Sequence, residues 1–445
     1  MMKLLVRNGR IIDPATKTDA VLDILMAGGR IVEVKAGIEA PSCPEIDAAE
    51  LVVCPGLIDM HTHLREPGYE AKETIATGTR AAARGGFTTV CAMPNTNPVS
   101  DDRRGIESIL KAAERAAIVN VFPIAAITKG SRGEELVDMA DLIAAGAIAF
   151  SDDGQPVEDV RIMKQALDVA KGLDALIIDH CEDKALSGDG VMHEGPQSRR
   201  FGLKGIPAAA EEVMVVRDVI LAGEVGTRVH IAHLSTKGGV AALREAKEKG
   251  VAASAEATPH HLLLTDDALE GHDPNFKMKP PLRSREDVDA LVEAVRGGVV
   301  DAIATDHAPH TPKEKSQGIE KAPFGIVGLE TAVSLILDRL VCKRVISLSR
   351  FVELLSRNPA RLLGLRQKGR ISAGADADLT VLDLSAGVTV DRNNFESKGR
   401  NTPFNGWKLK GRAVMTIVGG RVVYPFDFSV ASGRVWQAKA RGEAS

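Results

Sequence analysis

The chain has 445 residues, 44% hydrophobic and 26% charged, an ordinary globular balance with room for a barrel of typical size and a second unit. A net charge of −4 excludes the broad basic field that nucleic acid or anionic lipid would call for, while a local Arg or Lys still suits a small anion. Five scattered cysteines with no CxxC pair exclude a disulfide framework and a zinc knuckle, and they read as reduced packing residues.

The first stretch, MMKLLVRNGRIIDP, breaks its apolar run at Arg7 and Arg10, so no signal-peptide core forms. No apolar run approaches the roughly 18 to 20 residues of a membrane span, and the expected location is cytoplasmic. Residues 1–54 alternate apolar and polar and turn at glycines, which predicts a small β-unit. The same style returns over 366–445, in GRISAGADADLTVLDL and VMTIVGGRVVY. The two ends are expected to meet as halves of one β-sandwich, because the termini of a barrel lie close in space.

Residues 55–365 alternate short β-rich runs with helical stretches. The predicted strands are Leu57–His61, Thr88–Met93, Asn120–Ile127, Ala147–Ser151, Ala175–His180, Val229–Leu234, Ala252–Ala257 and Ala302–Asp306. Segments between them, such as IESILKAAERAA, carry apolar residues at helical spacing. Eight such alternations predict an α/β fold, a (β/α)8 TIM-type barrel rather than an open doubly wound sheet. The stretch from Asp183 to about Lys204 reads as a long loop after the fifth strand.

The strand ends carry the chemistry. Strand one ends in Asp59-Met60-His61-Thr62-His63, strand four in Ser151-Asp152-Asp153-Gly154, strand five in Asp179-His180, strand six in Ala232-His233 and strand eight in Thr305-Asp306-His307. In such barrels the C-terminal strand ends form the active face, so these side chains converge on one mouth. Residues two apart on a strand point the same way, which lets His61 and His63 lean onto one ion, with Asp306 as third ligand from the strand that closes the barrel. His180 and His233 suit a second ion, and a carboxylate is needed to bridge the pair. Imidazole plus carboxylate suits zinc, one or two per chain, with manganese or cobalt as substitutes. Any one of these residues alone reads as a half-buried histidine or a helix cap; their joint placement argues for metal. His193, His230 and His272 lack that placement and read as ordinary histidines, and His260 and His261 stay open between packing and support of the site.

Three motifs, PGLIDMHTHLREPG at 55–68, MPNTNP at 93–98 and DHAPHTPKEK at 306–315, resemble the dihydroorotases of the bacterial class I type in the amidohydrolase superfamily, and the likeness covers nearly the whole chain. It implies reversible zinc-dependent hydrolysis of dihydroorotate to N-carbamoyl-aspartate, in pyrimidine biosynthesis. It also implies a homodimer and a complex with aspartate transcarbamoylase. By position it makes His61, His63, Asp153, His180, His233 and Asp306 the metal ligands, with Asp153 as the bridge and Asp306 also handling protons. It gives His63, Arg65, Asn95, His310, Phe324 and Gly325 to the substrate, with Arg65 and Asn95 on its carboxylate. Arg65 follows His63 by two residues and is thus within reach of a bound ligand, where its guanidinium can grip a carboxylate bidentately.

Two positions depart from the relatives. Hydantoinases and allantoinases bridge their metals with a carboxylated lysine near strand four; here the region reads AIAFSDDG, so an Asp must substitute, Asp153 or its competitor Asp152. Lys279, in FKMKPPLRS, stands where the family usually has Asn, and is expected to meet the substrate in an altered way. The polar stretch TPKEKSQGIEKAP, 311–323, reads as a mobile loop over the site or a plain surface loop. Two rival readings are a hydantoin- or allantoin-opening enzyme and an inactive scaffold for aspartate transcarbamoylase. The missing lysine opposes the first, and the full ligand set opposes the second.

Overall fold

The computed structural model describes residues 3–41, 43–425 and 435–437, so the last part of the 366–445 β-unit lies largely outside the described residues. Eight parallel strands, Leu57–Thr62, Phe87–Ala92, Asn120–Ala125, Ala149–Phe150, Ile177–Asp179, Val229–Ile231, Ala253–Ala257 and Ala302–Ile303, stand side by side in chain order. Helices between them return the chain to the start of the next strand. One of these, Ile75–Gly85, is opened by a Thr74–Thr77 capping box and closed by Gly86 at φ 94°.

The barrel closes where strand eight meets strand one. Thr62 bridges His307, and the His63 amide donates to the His307 carbonyl at 2.9 Å. Asp59 clamps the same seam: its carboxylate accepts from the Thr305 amide at 3.1 Å and from the Thr305 hydroxyl at 2.5 Å, and also from the His61 amide at 3.2 Å. Burial pushes the Asp59 carboxyl up to about 7, against those same hydrogen bonds. Asp59→Ala leaves three buried donors without an acceptor, an expected loss of about 3 kcal/mol that a lowered thermal midpoint would register. An unchanged midpoint would remove Asp59 from the seam's support.

The lumen is aliphatic, as the scarcity of aromatics implies. Ile58, Met60, Cys91, Ile124, Leu176 and Ile178 fill it, and Ala360, Leu362 and Leu363 plug the end where the strands begin. All eight predicted strands are present, but most pair over fewer residues than predicted. The reason is local: several strands leave the ladder just before their functional residue. His233 and Asp306 have φ of 31° and 45°, a left-handed backbone that turns their side chains into the mouth.

The chain ends share one sheet. Thr18–Ala27 lies between Lys3–Asp13 and Arg30–Lys35, antiparallel to both; Val52–Pro55 runs parallel to Lys3–Asp13 and antiparallel to Leu379–Thr389, which continues to Lys408–Val418 and Arg421–Tyr424. Leu4, Ile24, Ile46, Val53, Ile371 and Met415 form its separate core.

The segment predicted as a loop after strand five is instead folded. It holds the short helices Lys184–Ser187 and Pro196–Phe201, and Met192–His193 pairs with Gly205–Ile206. Asp183 caps the first helix, Pro196 opens the second, and Gly202 at φ 68° ends it, so local signals outweigh the polar composition. Among the described residues no helix is long and apolar enough to cross a membrane.

Candidate metal centre and substrate cavity

Four imidazoles surround one carboxylate. Asp153 Oδ1 lies 3.3 Å from His61 Nε2, 3.5 Å from His180 Nδ1 and 3.7 Å from His233 Nε2, while Oδ2 lies 3.5 Å from His63 Nε2. Asp306 Oδ1 sits on the strand-one side, 2.8 Å from His63 Nε2 and 3.5 Å from His61 Nε2. His180 Nδ1 and His233 Nε2 are 2.8 Å apart. The six residues are buried and form three overlapping triads of ligand geometry, all passing through His61 or Asp153. His61 Nε2 and Asp153 Oδ1 are buried without a hydrogen-bond partner, both facing the middle of the cluster. Buried polar atoms are seldom left so, and a donor set of imidazoles and carboxylates fits a divalent cation.

Electrostatics agree. Burial disfavours an ionised Asp153, yet the imidazoles of His61, His180 and His233 set around it outweigh burial and hold the carboxyl well below the usual range. Asp306 is likewise lowered against burial by His61 and His63. Both stay anionic, as ligands must.

Behind the imidazoles stands a second ring of partners. His61 Nδ1 meets Glu256 Oε1 at 2.6 Å; Glu256 Oε2 lies 3.3 Å from His230 Nε2, whose Nδ1 reaches Ser254 Oγ at 2.8 Å. His63 Nδ1 meets Asn95 Oδ1 at 2.9 Å, and the Asn95 amide donates to Asp153 Oδ2 at 3.2 Å. His180 Nε2 meets Glu182 Oε2 at 3.2 Å. Such contacts fix which ring nitrogen carries the proton and leave the other free for an ion. Sequence reasoning missed Glu256 and Glu182 and set His230 aside. One signal was available: Glu256 is the only charged residue in the strand ASAEA, and a central barrel strand buries both its faces.

Of the two competing aspartates, Asp153 faces the cluster. Asp152 turns the other way and binds the amides of Ile127 and Thr128 at 2.8 and 3.2 Å, together with the Thr128 hydroxyl. His261 is tied to Thr258 Oγ1 at 2.8 Å and the Pro280 carbonyl at 2.9 Å, and burial lowers it to about 4. His260 lies beside it, their rings 4.5 Å apart, and joins no ligand triad. His193 packs on Arg283 and exposed His272 on Phe201, both outside the cluster. A further buried group, Asp179, Cys181 and Asp218, is already occupied by Arg217, 3.2 Å from Asp179 and 2.6 Å from Asp218.

A cavity of about 370 Å³ opens onto the cluster, lined by His63, Asp153, His180, His233 and Asp306 and also by Arg65, Asn95, Lys279, His310, Phe324 and Gly325. The structure thus gathers every residue assigned to metal or substrate around one space, with His61 buried behind it. Arg65, at φ 63°, donates from Nε to the Pro309 carbonyl at 3.3 Å. His310 accepts no proton readily: burial and the charge of Arg65 push it down to about 2, and its Nε2 donates to the Phe324 carbonyl at 2.8 Å. Gly325, at φ 148°, is required, since a Cβ there would come within 2.7 Å of the Ala308 carbonyl oxygen. The 311–323 stretch begins with a helical turn, Pro312–Lys315, capped by Thr311. Buried Lys315 then donates to the Pro323 and Gly325 carbonyls at 3.0 and 3.2 Å, tying the loop to the cavity wall.

Residues 50–239 match the model of the dihydro-orotase-like family and residues 206–424 that of an amidohydrolase family. A dihydroorotase of Pelotomaculum thermopropionicum is 54% identical over 95% of this chain and 98% of its own length. One of Citrifermentans bemidjiense is 51% identical over 95% of this chain and 100% of its own. Among solved structures, the L-hydantoinase (dihydropyrimidinase) of Arthrobacter aurescens superposes with a TM-score of 0.85 at 28% identity, over 98% of this chain and 97% of that one. The D-hydantoinase (dihydropyrimidinase) of a Thermus species gives 0.83 at 28% identity, over 98% of each chain.

Proposed function

The chain belongs to the dihydroorotase family, and from that premise we propose that it catalyses the reversible, zinc-dependent hydrolysis of (S)-dihydroorotate to N-carbamoyl-L-aspartate in pyrimidine biosynthesis. It is a hydrolase of cyclic amides. The observation that carries the substrate assignment is the pairing of Asp153, set between two imidazole pairs, with Arg65 on the same cavity wall.

His61, His63 and Asp306 would hold one ion, His180 and His233 the other, with Asp153 between them. Bound there, zinc supplies a Lewis acid for the ring carbonyl and a lowered pKa for water, and manganese or cobalt would substitute. The chain's own residues do the rest. Arg65 and Asn95 take the substrate carboxylate, setting the ring amide against the cluster. His310, kept neutral, and the Phe324-Gly325 backbone line the far side of the ring. Asp306 accepts the proton of the attacking water and passes it to the ring nitrogen as the amide C–N bond breaks; in the closing direction it returns that proton.

Hydantoin is the rival substrate, given the architecture shared with hydantoinases. Against it stand an aspartate in place of a bridging lysine and a guanidinium suited to an acidic ligand. Assaying dihydroorotate, hydantoin and allantoin side by side with zinc-loaded protein is expected to show turnover of dihydroorotate alone, and exclusive turnover of hydantoin would overturn the proposal. Family likeness also supports a cytoplasmic homodimer and a complex with aspartate transcarbamoylase, which the mass and activity of the chain with and without that partner would test.

A further inference from the structure

We infer that Lys279 is a positioning residue, whose ammonium pairs with Glu182 and thereby fixes the carboxylate that orients His180 toward the metal cluster. The inference rests on the metal assignment made above and gives Lys279 a different task from gripping the substrate.

The contacts run in series. Lys279 Nζ lies 2.7 Å from Glu182 Oε1, Glu182 Oε2 lies 3.2 Å from His180 Nε2, and His180 Nδ1 lies 3.5 Å from Asp153 Oδ1. Each carboxylate oxygen of Glu182 thus has one partner, a cation on one side and an imidazole on the other. An anionic Glu182 accepts the Nε2–H of His180 and leaves the Nδ1 lone pair facing the cluster. The Glu182 side chain is only 7% exposed, and a carboxylate buried that deeply needs a counter-charge to stay in place.

Lys279 is the cation available. Lys277, its neighbour by two residues, spends its ammonium on the Glu320 carbonyl at 2.9 Å. The Phe324 ring confines the Lys279 ammonium from another side, its centroid 5.2 Å from Nζ. The other cation on the cavity wall is placed differently. Among the described residues, Arg65 donates to the Pro309 carbonyl and has no carboxylate partner, so its charge remains for a ligand. The two cations divide the work: Arg65 faces the substrate, and Lys279 faces the support of a metal ligand.

The test compares zinc affinity of the purified full chain, by chelator competition, in the wild type and in Lys279→Met, Lys279→Arg and Glu182→Gln. Lys279→Met and Glu182→Gln are expected to weaken zinc about tenfold or more, the scale for partners behind a metal ligand, with Lys279→Arg close to wild type. As zinc is raised, the rate lost in Lys279→Met is expected to be regained in step with zinc occupancy, whereas Lys279→Arg needs no excess zinc. Unchanged zinc affinity in Lys279→Met, or a raised KM with zinc affinity intact, overturns the inference. Should Lys279→Met fail to fold, Glu182→Gln and Lys279→Arg decide it from the two ends of the ion pair. Wild-type protein that binds zinc but ignores dihydroorotate would overturn the substrate assignment and leave this inference standing, since its readout needs no substrate.

Discussion

Asp306→Asn is expected to keep the fold and lower kcat for dihydroorotate by about 100- to 10,000-fold, the range that general acid–base transfer contributes. The substitution preserves shape: Asp306 Oδ1 lies 2.8 Å from His63 Nε2, and an amide oxygen can occupy the same place. Asn also tolerates the left-handed backbone at this position, φ 45°, better than most residues do. What the amide cannot do is hold a proton between water and the leaving nitrogen. Steady-state rates with circular dichroism as a fold control would check this, and a rate near wild type would remove Asp306 from the proton path.

Asp153→Ala is expected to act one step earlier, on the metal. Among the described residues Asp153 alone lies within ion-pair distance of all four imidazoles, so removing it leaves His180 with no carboxylate of the cluster and Asp306 as the remaining anion on the strand-one side. Two cations held close together then lose the anion between them that offsets their mutual repulsion, and neutral imidazoles supply no negative charge in its place. The loss should exceed the roughly 100-fold in affinity typical of residues behind a ligand, and turnover should fall with occupancy. Metal content per chain after dialysis, measured beside activity, decides the matter. Retention of full metal content would show that the carboxylate does not join the two halves of the site.

Much of this site was legible from strand ends. The rule that barrel strands deliver their last residues to one face placed His61, His63, His180, His233 and Asp306 together, and the structure brings all five within one cluster. The choice between Asp152 and Asp153 was not legible. Adjacent residues of an extended chain point to opposite sides, and nothing in SDDG says which of the two faces the mouth. Glu182 was hidden for another reason. It sits past the end of its strand, just before a segment whose Gly, Ser and charge content imitates a loop, whereas Asp183, Pro196 and Gly202 build helices there. His230 was set aside because it lies within its strand rather than at the end; its tie to His61 runs through Glu256 on the neighbouring strand, a pairing that only register reveals.

A lysine side chain has no oxygen of its own and can bridge two cations through a carboxylate only after it has been carboxylated. In this chain the oxygens that face both imidazole pairs are those of Asp153, which needs no such modification to carry them. On the assignment proposed above, the centre would assemble from a closed barrel and a supply of ions alone, and metal uptake is expected to be indifferent to bicarbonate.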